Sequence, residues 1–142
     1  MNSDWTPQSV DRLRAWREEI LQLAAAHAAA AKKYALYHRV LLGLQTCLSA
    51  ATGAVGLTAP CPTGPLVAGL AGTSASLAGL SNVVAFDVRS ERHDRSADDL
   101  GSVARFIEYQ LSIGEDVRDQ AKTVFVYVSS RLDSVEAVAP LV

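Results

Sequence analysis

The chain has 142 residues, room for one domain. Its 13 Lys+Arg nearly balance 15 Asp+Glu for a net charge of −2, which argues against a general nucleic-acid binder. Apolar residues at 49% and charged residues at 20% exclude an intrinsically disordered chain, and two cysteines exclude a disulfide scaffold and a four-cysteine zinc site.

Residues 1–39 are predicted to be a cytoplasmic N-terminal helix. Thr6 suits an N-cap and Pro7 the first helical position. A stripe then recurs every three or four residues: Leu13, Trp16, Ile20, Leu23, His27, Ala30, Tyr34, Tyr37, Leu41, Leu44, Leu48, Ala51, Val55. This is a heptad seam of about six repeats, and no Gly or Pro interrupts residues 8–42. One helix of roughly 75 Å is expected. A seam of this kind needs a partner: the C-terminal arm, a second copy, or both. The opening residues carry charge, so no cleaved signal peptide is expected, and Asn2 does not fit N-myristoylation.

Every charged residue lies in 1–39 or 87–142, leaving 47 consecutive residues without Asp, Glu, Lys, Arg or His. A run of about 18 apolar residues is already a candidate membrane span, so this one has room for two. The first span is read as residues 40–59. Pro60, Cys61, Pro62, Thr63, Gly64 and Pro65 form an external turn, because proline removes a helix donor and clashes with the preceding turn. The second span is read as 66–86. Both are rich in small residues: Ser49 and Gly53 in the first, and Ala68, Gly72, Ser76 and Gly79 in the second. Such residues at helical spacing let backbones approach, and Gln45 and Asn82 are expected to face a partner helix. The competing reading is a buried helical hairpin of a soluble protein.

The flanks set the expected orientation. Lys32, Lys33, Tyr34, Tyr37, His38 and Arg39 precede the first span, and Arg89 and Arg92 follow the second, while the loop has no basic residue. By the positive-inside rule both termini are cytoplasmic, with Tyr34, Tyr37 and Phe86 as interfacial aromatics. The C-terminal arm, residues 87–142, opens with a polar stretch to Asp99, where Ser96 and Asp99 fit a capping pattern. A helical stripe follows: Leu100, Val103, Ile107, Leu111, Val117, Ala121, Val124, Val128, Leu132, Val135, with Gly114 as a kink point. The β-branched run 123–128 is read as helix, since no second strand exists to pair with it. The arms carry opposite net charge, which favours packing side by side.

No Gly-rich phosphate loop, HExxH or CxxC motif is present. His27 reads as a packed seam residue, His38 as a headgroup contact and His93 as part of a solvated charge run. Cys47 reads as an apolar filler, and Cys61 as a free thiol or a cross-link between subunits. Asp98 and Asp99 are adjacent and diverge on a helix, so they do not form an acid–base pair. No enzyme, cofactor or metal is expected.

The order of parts, with Lys33-Tyr-Ala-Leu-Tyr-His-Arg39 entering the first span, resembles SLATT-type proteins, the two-transmembrane effectors of nucleotide-sensing conflict systems. The resemblance covers roughly residues 12–135. It implies an oligomer that perturbs or permeabilises a membrane when triggered. The expected fold is all-α, an integral membrane helical hairpin with two transmembrane helices and long cytoplasmic arms. Its expected partners are the lipid bilayer, further copies through the heptad seam, and a separate protein on the arms; nucleic acid is not among them. The alternative function is a structural membrane anchor or scaffold, for example a viral membrane- or capsid-associated component.

Overall fold

The structure, a computed structural model, describes residues 5–58, 64–114 and 117–138, the side chains of 56–58, 81–83 and 138 excepted. Among these residues it is all-α: α1 Pro7–Thr58, α2 Gly64–Val84, α3 Phe86–Ser112 and α4 Ala121–Val138. The chain forms two compact units. Unit 1 comprises residues 1–31 and 91–142, and unit 2 comprises 32–90.

The start of α1 follows the capping logic. The Ser9 amide donates to Thr6 Oγ1 at 3.1 Å, and the Thr6 amide donates to Ser9 Oγ at 2.9 Å. These bonds serve backbone donors that the first helical turn leaves open.

Unit 1 is an up-down-up three-helix bundle. Its α1 segment runs antiparallel to α3, as the contacts Arg17–Glu108 (3.3 Å) and His27–His93 (2.9 Å) require. The α4 helix packs on both. Its Phe125 ring lies 5.3 Å from Trp16 and 6.5 Å from Trp5, and its Tyr127 ring lies 4.6 Å from Phe106. The core follows much of the expected stripe across three helices: Leu13 and Ile20 from α1, Leu100, Val103 and Ile107 from α3, and Ala121, Val124, Val128 and Val135 from α4. Leu23 of that stripe is exposed, however, and Ala24 packs in its place. The β-branched run is helical, as the period requires.

The arms do pack together, but apolar burial rather than opposite charge holds them. Arg17–Glu108 is the ion pair linking two helices of unit 1 among the described residues, and Glu108 is largely exposed. Such a pair contributes about 0–1 kcal/mol, against about 1.5–3 kcal/mol for each fully buried Leu or Ile.

Three sequence expectations change here. The polar stretch 87–99 is helix from Phe86 onward, and Ser96 is not a cap. It is buried in mid-helix, where its hydroxyl donates to the Arg92 carbonyl at 2.9 Å. Gly114 does not kink a continuous helix: α3 ends at Ser112 and α4 begins at Ala121. Val117 falls in that connection and is 69% exposed, so it leaves the seam.

The connection is held by side chains that take over for lost helix bonds. Arg118 donates to the Ile113 carbonyl at 3.0 Å, where a cation complements the end of α3, and its guanidinium lies 4.8 Å from the Trp5 ring centre. Trp5 Nε1 donates to the Asp119 carbonyl at 2.8 Å, and Gln110 donates to the Asp119 carboxylate at 2.7 Å. Trp5 was not among the seam residues read from sequence. Its place just before the Thr6 cap is the hydrophobic-staple position, the signal that marks it.

Leu100→Ala, at a fully buried site, is expected to lower unfolding stability by about 2–5 kcal/mol. Val117→Ala is expected to change it by less than about 0.5 kcal/mol. Chemical denaturation followed by circular dichroism checks both.

Candidate functional site

Unit 2 contains the charge-free run. Its α1 segment presents Leu41, Gln45, Leu48, Thr52 and Val55 as half-buried residues, and α2 presents Val67, Leu70, Ser74 and Leu77. Both sets recur every three or four residues, one face of a helix each. The Ser49 and Ser74 hydroxyls meet across the hairpin at 3.1 Å. At the base, Phe86 stacks on Tyr34 at 6.2 Å and meets Tyr37 edge-on at 5.8 Å. The three aromatics expected at an interface are thus one cluster. The Lys33 ammonium lies 5.9 Å from the Tyr37 ring centre.

No described side chain of unit 2 is buried; among the described residues, the buried ones all lie in unit 1. Leu36, Val40, Leu42, Leu44, Leu66 and Leu80 are each about half exposed or more. The reason is geometric. Two helices touch along one line, so each shields only one stripe of the other. A contiguous apolar surface left this way marks an interaction site.

The expected packing residues divide. Gln45 lies on the inner face, and Ser49 reaches the partner helix through its hydroxyl. Ala68, Gly72, Ser76 and Gly79 do not mediate close approach of α1 and α2. They are exposed, opposite the face that meets α1, and a Cβ added at Gly53, Gly72 or Gly79 would meet nothing within 4 Å. Within one copy of the chain, the small-residue face of α2 is therefore uncovered. Asn82 is helical, but its side chain lies outside the described residues, as do Cys61 and the turn at 60–63. Cys47 is an exposed free thiol. Of the flanking residues, Lys32, Lys33, Arg39 and Arg89 are exposed and His38 is half-buried; Arg92 belongs to unit 1.

The expected spans meet two departures. Residues 66–86 are not one helix: Ala85 adopts φ 46° and separates α2 from α3, which Phe86 begins. That left-handed conformation costs a non-glycine residue about 1–2 kcal/mol. Further, among the described residues no helix is long and apolar enough to cross a membrane. Ala, Gly, Ser and Thr dilute the Leu and Val of both segments.

The hydroxyls are nonetheless satisfied within the hairpin. Thr46, Thr52, Thr73 and Ser76 donate to the carbonyls of Leu42, Leu48, Gly69 and Gly72 at 2.8, 2.8, 2.9 and 2.9 Å. With Ser49 and Ser74 paired, every described Ser and Thr of residues 40–80 has a hydrogen-bond partner inside unit 2.

Unit 1 adds a site that the sequence reading missed. His93 is not in a solvated run. It is 1% exposed, and its Nδ1 lies 2.9 Å from Nδ1 of His27, itself 2% exposed. The signal was present: His93, Ser96, Leu100, Val103 and Ile107 continue one helical stripe toward the N-terminus of α3. At this distance one ring donates from Nδ1–H and the other accepts at Nδ1, so the accepting ring is neutral and the pair cannot take two protons without losing the bond. Burial pushes both imidazoles below their ordinary range, and for His27 the charge of His93 adds to it. Among the described residues no group of three or more His, Cys, Asp or Glu is placed to hold a metal ion.

No known protein family, curated protein or solved structure matches the chain.

The histidine pair sets a pH dependence. In the unfolded chain each imidazole takes a proton near its ordinary pKa of about 6.5, whereas the folded pair resists it. Below that pH the unfolded state binds more protons, so stability is full above about pH 6.5 and declines as the pH falls from there. The unfolding midpoint is expected to drop between about pH 7.5 and 5.5. A variant carrying both His27→Gln and His93→Gln, which keeps an amide pair but removes the titration, is expected to flatten that slope.

Proposed function

We propose that the protein is a non-enzymatic membrane protein: unit 2 inserts as a hairpin, oligomerises, and carries unit 1 on the cytoplasmic side. The observation that supports this most is a hairpin in which no described side chain is buried, uncharged from residue 40 to 86. In water such a surface stays uncovered; a bilayer or further copies cover it. The internally paired hydroxyls favour lipid, where an unsatisfied polar group costs several kcal/mol.

Insertion and assembly belong together in this reading. The described helices are too dilute in Leu and Val to span lipid one at a time. Packing several hairpins through Ala68, Gly72, Ser76 and Gly79 hides the small, weakly apolar face and leaves Leu-bearing faces to the acyl chains. The Tyr34–Tyr37–Phe86 cluster, with Lys32, Lys33, Arg39 and Arg89 around it in the sequence, suits the headgroup level on the cytoplasmic side.

The activity we favour is membrane perturbation, as the SLATT-type resemblance implies, with a passive anchor or scaffold as the second reading. The first rests on that resemblance; the Ser49–Ser74 pair closes the contact within one hairpin and does not separate the two readings. The compact three-helix bundle of unit 1, a ready docking module, supports the second.

Overexpression with carbonate extraction and a dye-leak assay tests the proposal. The protein is expected in the carbonate pellet; its release into the supernatant overturns membrane insertion. Leaking cells favour the perturbing activity, and tight cells favour the anchor. Gly72→Leu meets open space within one copy but fills the face offered to others. It is expected to leave the protein in the pellet while shifting it to smaller species on detergent size-exclusion chromatography.

A further inference from the structure

Unit 1 holds a cleft that neither the core nor the histidine pair uses. It lies between the first half of α3 and the second half of α4, with a volume of about 260 Å³. On α3, Arg92, Arg95 and Asp99 recur at three and four residues and so share one face. Arg131 faces them from α4, and buried Val103 and Val135 form the floor. Three guanidiniums thus surround an apolar base with one carboxylate among them.

The commitments of these groups decide what the cleft can take. Arg95 is paired with Glu91 one turn earlier. Arg92 has no carboxylate within ion-pair distance among the described residues. Among the described residues, the Arg131 side chain makes a long contact to the Tyr127 hydroxyl, at 3.4 Å, and no ion pair, and it lies 5.6 Å from the centre of that ring. The hydroxyls of Ser96, Ser102 and Ser134 donate to carbonyls of their own helices, so their protons are committed. The donors left facing the cleft are guanidinium N–H groups. With Arg95 paired to Glu91, Arg92 and Arg131 outnumber Asp99 in the lining, a positive balance that favours an anion.

We propose that the α3–α4 cleft of unit 1 binds a phosphate-bearing ligand through Arg92 and Arg131, with Arg95, held by Glu91, at its edge. Guanidinium forks match phosphate oxygens in pairs, and two of them facing across a cleft suit a phosphate group. The volume lies below the roughly 300–1,000 Å³ of pockets for drug-sized ligands, which selects a small headgroup or free phosphate over a nucleotide. The apolar floor accommodates a short carbon stem. Asp99 opposes the anion and keeps affinity moderate. The site lies wholly within unit 1 and stands whether or not unit 2 enters a membrane.

Calorimetric titration of the full-length protein in a phosphate-free, uncharged detergent tests this, with inorganic phosphate and short-chain phosphatidic acid as probes. Saturable binding of at least one probe is expected. Binding of phosphatidic acid alone identifies a lipid headgroup as the source, and binding of inorganic phosphate identifies a free anion. Arg92→Gln with Arg131→Gln is expected to weaken binding about tenfold or more, since a hydrogen bond to a charged group is worth about one decade. Arg14→Gln, at an exposed arginine outside the cleft paired with Asp11, is expected to bind as the wild type does. Asp99→Asn is expected to tighten binding about two- to fivefold, a gain that misfolding does not produce. The proposal is overturned if neither probe saturates, if Arg14→Gln weakens binding as much as the cleft variant, or if Asp99→Asn fails to tighten it.

Discussion

One constraint organises the molecule: α1 presents a single apolar seam throughout its 52 residues, and the number of helices that meet it changes along the way. In unit 1 the seam packs against α3 and α4, and Leu13, Ile20 and His27 are sealed from solvent. In unit 2 it meets α2 and, at its base, Phe86 of α3. The inner face there, Leu41, Gln45, Leu48, Thr52 and Val55, is only half-buried, and Leu44 and Ala51 of the expected stripe lie off it and are exposed. A seam is buried by what covers it, and two helices cannot enclose a core.

The two units solve the polar problem differently. Unit 1 pairs the side chains of its buried polar residues, His27 with His93, Gln110 with Asp119, and Ser96 with the Arg92 carbonyl, while the Nε atoms of Arg17 and Arg118 are buried without a partner among the described residues. Each pairing avoids about 1–3 kcal/mol for a stranded group. Unit 2 carries no charge between residues 40 and 86, and its described hydroxyls turn back to their own helices or to one another. Satisfied polar groups on an uncovered apolar surface are the shared requirement of an oligomer core and a bilayer.

Much of the fold was legible because helical period is a local property. The period of α1, the helical nature of 123–128 and the cap at Thr6 all follow from residues within one or two turns. The misreadings at His93 and Ser96 share one cause. Each is flanked by charge, with Glu91, Arg92 and Asp94 around His93, and local composition outweighed the continuing stripe. The small residues of α2 do share one face, but that face is exposed and packs on nothing within one copy. Which helix they would pack on was not legible, because a spacing of four names a face and not its partner.

The amino-acid sequence by itself determined the helical class, the three-to-four-residue period of α1, the uncharged run and the aromatic–basic flanks. Each is set by side chains a few residues apart, where period and capping act. The α1 seam itself falls on Ala24, Ala31, Gln45 and Thr52 rather than on Leu23, Ala30, Leu44 and Ala51. The tertiary structure alone decided the rest. It brought His27 within 2.9 Å of His93 across 66 positions, joined Trp5 to Asp119 across 114, and opened the Arg92–Arg131 cleft. It also turned the small-residue face of α2 away from α1. These depend on which of several equally apolar faces meet, and that choice is made by the joint packing of three helices at once, a quantity no local spacing contains.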